Sequence, residues 1–172
     1  MNLPIGKTTQ LRLYLTAIEA YDFITKAEEK TLFIDVRTQA ELTFVGAPIM
    51  IDANIPYEVI EDWNQWDEKG KTFKMSVNKN FVTAFEKLIL DKGLNKQSSV
   101  ILMCRSGYRS ASAADLLANI GYTKVYNLID GFEGDTISSG PKKGQRVVNG
   151  WKNSDLPWSI QLDKAKMYMT QI

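Results

Sequence analysis

Apolar residues recur along this chain with two different spacings, and the two alternate. Ala17, Ala20, Tyr21 and Ile24 fall on one helix face, and Thr16 with Glu19 supplies a capping-box start for it. Residues 31–36 (TLFIDV) form a short apolar run that reads as a buried strand. Thr38 and Glu41 repeat the capping-box spacing and predict a brief helix just after that strand. Residues 49–55 are a second strand candidate, ended by Pro56. Phe81, Ala84, Phe85, Leu88 and Ile89 restore the helical stripe, with Gly93 placed to cap it. Residues 99–103 (SVILM) are too short for a helix and almost wholly apolar, as suits a strand buried on both faces. Ala113, Leu116, Leu117 and Ile120 then predict a helix stopped by Gly121, and residues 124–129 (KVYNLI) a last strand. Strands alternating with helices predict an α/β domain built on a parallel sheet.

Between residues 57 and 79 the pattern breaks. The stretch is acidic at first, carries Trp63 and Trp66, and predicts a long loop or short irregular helices. The two tryptophans could form a lid or a partner surface, although a satellite cluster under the loop is the better expectation.

Bulk composition then narrows the class. With 172 residues, 44% of them hydrophobic, the chain suits one domain with a real core. Residues 1–12 are expected to be a flexible N-terminal segment. The 21 basic and 20 acidic residues nearly balance, so no nucleic-acid partner is implied. No apolar run approaches the ~20 residues that span a bilayer, so no membrane span is expected. The start, MNLPIGKTTQ, has no signal-peptide core, which fits a cytoplasmic protein or an exported one already trimmed.

Two absences matter more. The chain has no histidine, which excludes Ser–His–Asp and Cys–His hydrolase arrangements and histidine metal sites. It has one cysteine, Cys104, so there is no internal disulfide, no CxxC couple and no cysteine zinc cluster. No cofactor or metal is expected, and chemistry at Cys104 must be that of a lone thiol.

That thiol sits where the most strand-like run ends and a loop leads into a helix. Ligands in open α/β sheets bind at the carboxyl ends of the strands. Ser106 and Gly107 let the backbone turn tightly, so that N–H groups can face inward as an anion nest. Arg105 and Arg109 add positive charge, and cationic surroundings at a helix N-terminus favour a thiolate or a persulfide anion. A buried cysteine at a strand end can also be a plain small hydrophobe. Two arginines, a turn glycine and a helix start weigh for the reactive reading.

The motif Cys104-Arg105-Ser106-Gly107-Tyr108-Arg109 resembles the active-site loop of the rhodanese family, C-R-x-G-x-R or T. Asp35-Val36-Arg37 followed by Glu41 resembles the family's D-V-R…E signature, and Ala53-Asn54-Ile55-Pro56 the end of its G-H-I-x-G-A-x-N-I-P segment. Val125-Tyr126-Asn127-Leu128, Gly131, Gly150-Trp151 and Leu156-Pro157 resemble the closing V-x-x-L-x-G-G…W…G-L-P. The resemblance spans about residues 16–158 and implies a single rhodanese-like domain over residues 1–172: three layers, a central parallel sheet of about five strands, and helices on both faces. Two departures stand out. Gly46-Ala47-Pro48-Ile49 replaces the segment with the usual histidine, and residues 131–151 form an insert expected on the active-site face. Similar inserts resemble an often exported bacterial group, which leans the expected compartment towards the periplasm.

The resemblance implies a sulfurtransferase in which Cys104 takes sulfane sulfur from thiosulfate or a persulfide and passes it to cyanide or a thiol. Arg105, Ser106, Gly107, Tyr108 and Arg109 would bind the substrate, with Arg105 and Arg109 holding the anionic donor. Arg109 could instead pair with a carboxylate at a helix start, and Tyr108 could wall the pocket or lie plainly on the surface. Asp35 and Arg37 could support the loop from behind, but a structural pairing with Glu41 is the favoured reading. Lys142, Lys143 and Arg146 of the insert are candidates to extend a positive funnel. The expected partners are a small sulfur donor and a thiol or cyanide acceptor, with a protein acceptor as a further candidate.

Two rivals remain. One is a related phosphatase or arsenate reductase: cysteine phosphatases use C-x5-R, whereas the residue six after Cys104 is Ser110 and the arginine comes one earlier, so the loop is the shorter, sulfur-sized one. A non-catalytic binding or sensing module could keep the same fold, against which Cys104 and both arginines argue.

Overall fold

The computed structural model describes residues 3–27 and 29–169. Both capping boxes form. The Thr16 hydroxyl accepts the Glu19 N–H while the Glu19 carboxylate accepts the Thr16 N–H at 2.8 Å, which starts α1 (Ala17–Lys26). Thr38 and Glu41 make the same exchange ahead of α2 (Gln39–Val45). Each box satisfies N–H groups that a helix start otherwise leaves without partners. The other helices are α3 (Phe81–Asp91) and α4 (Tyr108–Asn119).

Five strands form the central sheet: β1 (Tyr14–Leu15), β2 (Leu32–Asp35), β3 (Ala53–Asn54), β4 (Val100–Met103) and β5 (Val125–Leu128). Their order is β1-β5-β4-β2-β3 and every pairing is parallel. The apolar runs are explained by burial on both faces. Leu32, Ile34, Val100 and Leu102 pack with Phe81, Phe85 and Ile89 of α3 and Ala113, Ala114 and Leu117 of α4. Phe33, Ile101 and Met103 face the other way, onto Ala17 and Ala20 of α1, Leu42 of α2, and Phe132 and Trp151. Each of the buried Leu, Ile, Val, Phe and Met side chains contributes about 1.5–3 kcal/mol through burial. The result is the expected α/β class, a parallel sheet between two helical layers.

Three segments differ from the sequence expectation. Strand β1 is not among the predicted strands, because two residues carry no periodicity. The run 49–55 pairs with the sheet only at Ala53–Asn54. Its Asp52 carboxylate accepts the Phe33 N–H at 2.9 Å, taking a donor that a longer ladder would use. In residues 57–79 there is no helix. Glu58–Val59 pairs with Ser76–Val77 and Trp66–Asp67 with Thr72–Phe73, as two antiparallel ribbons. The Asp62 and Asp67 carboxylates accept the N–H groups of Asn64 and Lys69, local turns that compete with helix formation.

Residues 3–12 of the N-terminal segment lie against α4. The Gln10 N–H donates to the Asp115 carboxylate at 2.8 Å, and the buried Lys7 ammonium pairs with Asp135 at 2.7 Å. No helix of the described residues is long and apolar enough to cross a membrane.

Candidate active site

The carboxyl end of β4 delivers Cys104 directly into the turn that starts α4, and only 1% of the residue is exposed. Gly107 adopts φ +90°, which aims its N–H at the thiol; it donates to Cys104 Sγ at 3.1 Å. A Cβ at Gly107 would stand 2.2 Å from the Ile129 carbonyl oxygen. Backbone also presses close at Gly131, φ +63°, where a Cβ would lie 2.5 Å from the Arg105 carbonyl carbon. Only glycine fits either position. Gly107→Ala must therefore shift the loop. We expect about 1–3 kcal/mol of lost stability in denaturant titrations.

A polar network lies behind the thiol. Ser110 Oγ is 3.3 Å from Cys104 Sγ and 2.7 Å from Asn127 Oδ1. Asn127 commits both amide hydrogens to the carbonyls of Lys7 and Gly107, each at 3.0 Å. It therefore offers Ser110 only an acceptor, and the single serine proton goes either to Asn127 or to the sulfur. Neither residue is among the site positions expected from the sequence. The signal is there for Asn127, a polar residue facing fully inward from an otherwise apolar strand.

Cys104 opens onto a cleft of about 640 Å³ lined by Arg105, Ser106, Tyr108, Arg109 and Arg146, and also by the carboxylates Glu41 and Glu58. Loop residues expected around the thiol are thus brought together. Arg109, however, is bound to a carboxylate. Its guanidinium grips Glu41 with two bonds of 2.8 and 2.6 Å. The geometry shows for Arg109 the pairing with a carboxylate at a helix start, and a planar fork matched to a carboxylate is the strong form of that contact. Tyr108 lies on the cleft rim, with the Lys7 ammonium 5.3 Å from its ring centre.

Burial alone would raise the Glu41 carboxyl, but Arg109 and the Thr38 N–H hold it down at about 2. A depressed acid stabilises the fold above its unfolded value and loses that stabilisation as pH falls through the folded one. Unfolding midpoints should therefore drop between pH 4.5 and about 2, and Glu41→Gln should flatten that part of the profile.

Asp35 and Arg37 pair with each other, not with Glu41. Both side chains are fully buried, at 2.6 Å, and Arg37 also donates to the Gly46 carbonyl at 2.8 Å. Their tie to the loop is indirect: the Arg37 guanidinium lies 4.1 Å from the Phe132 ring centre, and the Phe132 N–H donates to the Cys104 carbonyl. Trp63 and Trp66 meet Phe73 edge-on at 5.0 and 5.3 Å, a cluster that stands exposed on a ribbon instead of lying beneath a loop. Of the insert cations only Arg146 lines the cleft; Lys142 and Lys143 are exposed on the turn beyond it.

The fold thus places a lone thiol at the sheet's carboxyl edge, cupped by a short loop and a helix start. The chain belongs to the rhodanese family: residues 16–136 match the Rhodanese-like domain. An uncharacterized protein of Rickettsia prowazekii is 34% identical over 148 residues, covering 85% of this chain and 96% of that one. The crystal structure of Rv0390 from M. tuberculosis superposes with a TM-score of 0.62 at 27% identity, covering 86% of this chain and 97% of that one. The thiosulfate sulfurtransferase GlpE of Tolumonas auensis is 44% identical over 41 residues, 24% of this chain and 39% of that protein. Together these support a role of the sulfurtransferase kind.

Proposed function

We propose that this protein is a sulfurtransferase that carries sulfane sulfur as a persulfide on Cys104, between thiosulfate or a persulfide donor and a thiol or cyanide acceptor. The observation that carries the reading is the seating of the one cysteine, with the Gly107 N–H on its sulfur at 3.1 Å and an arginine-lined cleft in front of it. Attack by the Cys104 thiolate on the outer sulfur of thiosulfate forms the cysteine S–S bond and breaks the bond to the sulfonate sulfur. Sulfite leaves with the electron pair, and the total charge is unchanged. The persulfide anion inherits the thiolate's donors, and the acceptor then attacks its outer sulfur and regenerates the thiolate.

The same surroundings disfavour oxyanion hydrolysis. The position that an arginine occupies in cysteine phosphatases is here Ser110, buried and bonded to Asn127. Double displacement through one cysteine gives parallel double-reciprocal plots when thiosulfate and acceptor are varied together. Intersecting lines would point to a ternary complex and refute the carrier step. Absence of turnover with every donor and acceptor pair would remove the enzyme reading and leave a binding module.

A further inference from the structure

With Arg109 tied to Glu41, the loop's own cation set is reduced to Arg105, which is exposed and has no side-chain partner among the described residues. A second cation arrives from the insert, 41 residues later in sequence. Arg146 lines the same cleft as Cys104 and Arg105. Its placement is built. One guanidinium nitrogen donates to the Gly134 carbonyl, and the Gly134 and Glu133 N–H groups donate to the Arg105 carbonyl at 3.2 and 2.9 Å. Gly134 thus links the two arginines through a single residue. Asn153 closes the other limb: its side-chain nitrogen donates to the carbonyls of Glu133, Asn149 and Arg146 at 3.0, 2.9 and 3.2 Å.

Two guanidinium groups lining one cleft repel each other. Burial first, and then the charge of Arg105, disfavour the charged Arg146 guanidinium, while Glu133, Asp135 and Cys104 favour it. Glu58, which lines the same cleft, acts on Arg109 and has no ion-pair partner among the described residues. Neither Arg105 nor Arg146 forms a salt bridge among the described residues, and two such cations lining one cleft are relieved by a bound anion.

We propose that Arg146, carried by the insert, forms with Arg105 the seat for the oxyanion end of the sulfur donor, the sulfonate that departs as sulfite. The proposal rests on the sulfur-transfer reading for its substrate. It adds that the seat belongs to the insert and not to Arg109. Planar forks suit this work, since they bind sulfonate oxygens in pairs and neutralise charge gathering on the leaving group.

Thiosulfate binding to the Cys104→Ser protein, measured by calorimetry at low ionic strength, tests the seat without turnover. Adding Arg146→Ala should weaken binding about 10- to 100-fold, the value of one charge-assisted contact. Arg146→Lys should fall between, because it keeps the charge and loses the fork. Lys142→Ala and Lys143→Ala remove the same charge from the insert outside the cleft and should change binding less than about twofold. Unchanged binding in Arg146→Ala, or an equal loss in the two lysine variants, would overturn the proposal. So would a parent protein that binds no thiosulfate. Failure of wild-type Cys104 to take up sulfur while the binding pattern holds would instead remove the transfer reading and keep the anion seat.

Discussion

Cys104→Ser should abolish sulfur transfer, lowering turnover by on the order of a thousandfold or more, to the level of the uncatalysed background. The effect is this large because no other side chain can take the role. The chain has a single cysteine and no histidine, and a serine hydroxyl is too weak a nucleophile without a base. Fold stability should barely change. The serine is smaller than cysteine, and its oxygen can accept the hydrogen bond that Gly107 now donates to sulfur at 3.1 Å. Steady-state assays with matched unfolding curves will separate the two effects. Residual turnover above a few per cent would show that sulfur passes directly from donor to acceptor in the cleft.

Asp35→Ala should produce the largest loss of stability, about 3–5 kcal/mol, the usual cost of leaving one member of a buried ion pair unpaired. Arg37 and Asp35 are both fully buried, and the carboxylate receives the Arg37 main-chain N–H, Nε and Nη2 at 2.6–3.1 Å. Arg37 Nη1 already has no partner among the described residues, so after the substitution only the Gly46 carbonyl and the Phe132 face remain for the whole guanidinium. Against a domain stability of about 5–15 kcal/mol, such a loss is visible as a large shift in denaturant midpoint. Asp35→Asn should cost less, since it keeps acceptor oxygen. The double replacement Asp35→Leu with Arg37→Met should recover much of the deficit, because no charge is then left buried. If Asp35→Ala unfolds at the wild-type midpoint, the pair is not what holds the turn after β2.

What the sequence reveals follows the range of each interaction. The capping boxes at Thr16 and Thr38 are written in four consecutive residues, and both form. The apolar strand 99–103 and the loop after it are contiguous, so the place of Cys104 at a sheet edge is legible in the residue order alone. The pairing of Glu41 with Arg109 joins positions 68 residues apart. Spacing gives Arg109 a place in the loop but does not show which carboxylate reaches it, and the shared motif points Glu41 to the Asp35–Arg37 turn instead. Arg146 is notable in the sequence only as one of three insert cations, and the return path of the insert decides which of them faces the thiol. The ribbons between residues 57 and 79 carry no strong period, and their acidic, helix-compatible composition masks the local aspartate turns.

The insert also changes how the family's site is presented. Phe132 and Glu133 donate to the carbonyls of Cys104 and Arg105, while Trp151 and Lys152 donate back to Gly131 and Phe132. Both limbs of the insert are therefore stitched to the same few residues behind the loop. Trp151, fully buried against Phe33 and Tyr21, anchors the returning limb in the core. Through Arg146 the insert lines part of the cleft onto which Cys104 opens.

The central claim is that Cys104 is the sulfur carrier. Peptide-resolved mass spectrometry of the protein after brief exposure to thiosulfate, with released sulfite quantified in the same sample, tests it most directly. We predict a gain of one sulfur atom on the peptide holding Cys104, one sulfite per modified chain, and loss of that sulfur on adding cyanide or a thiol. An unmodified Cys104 after thiosulfate, polysulfide and organic persulfide have each been offered would contradict the account.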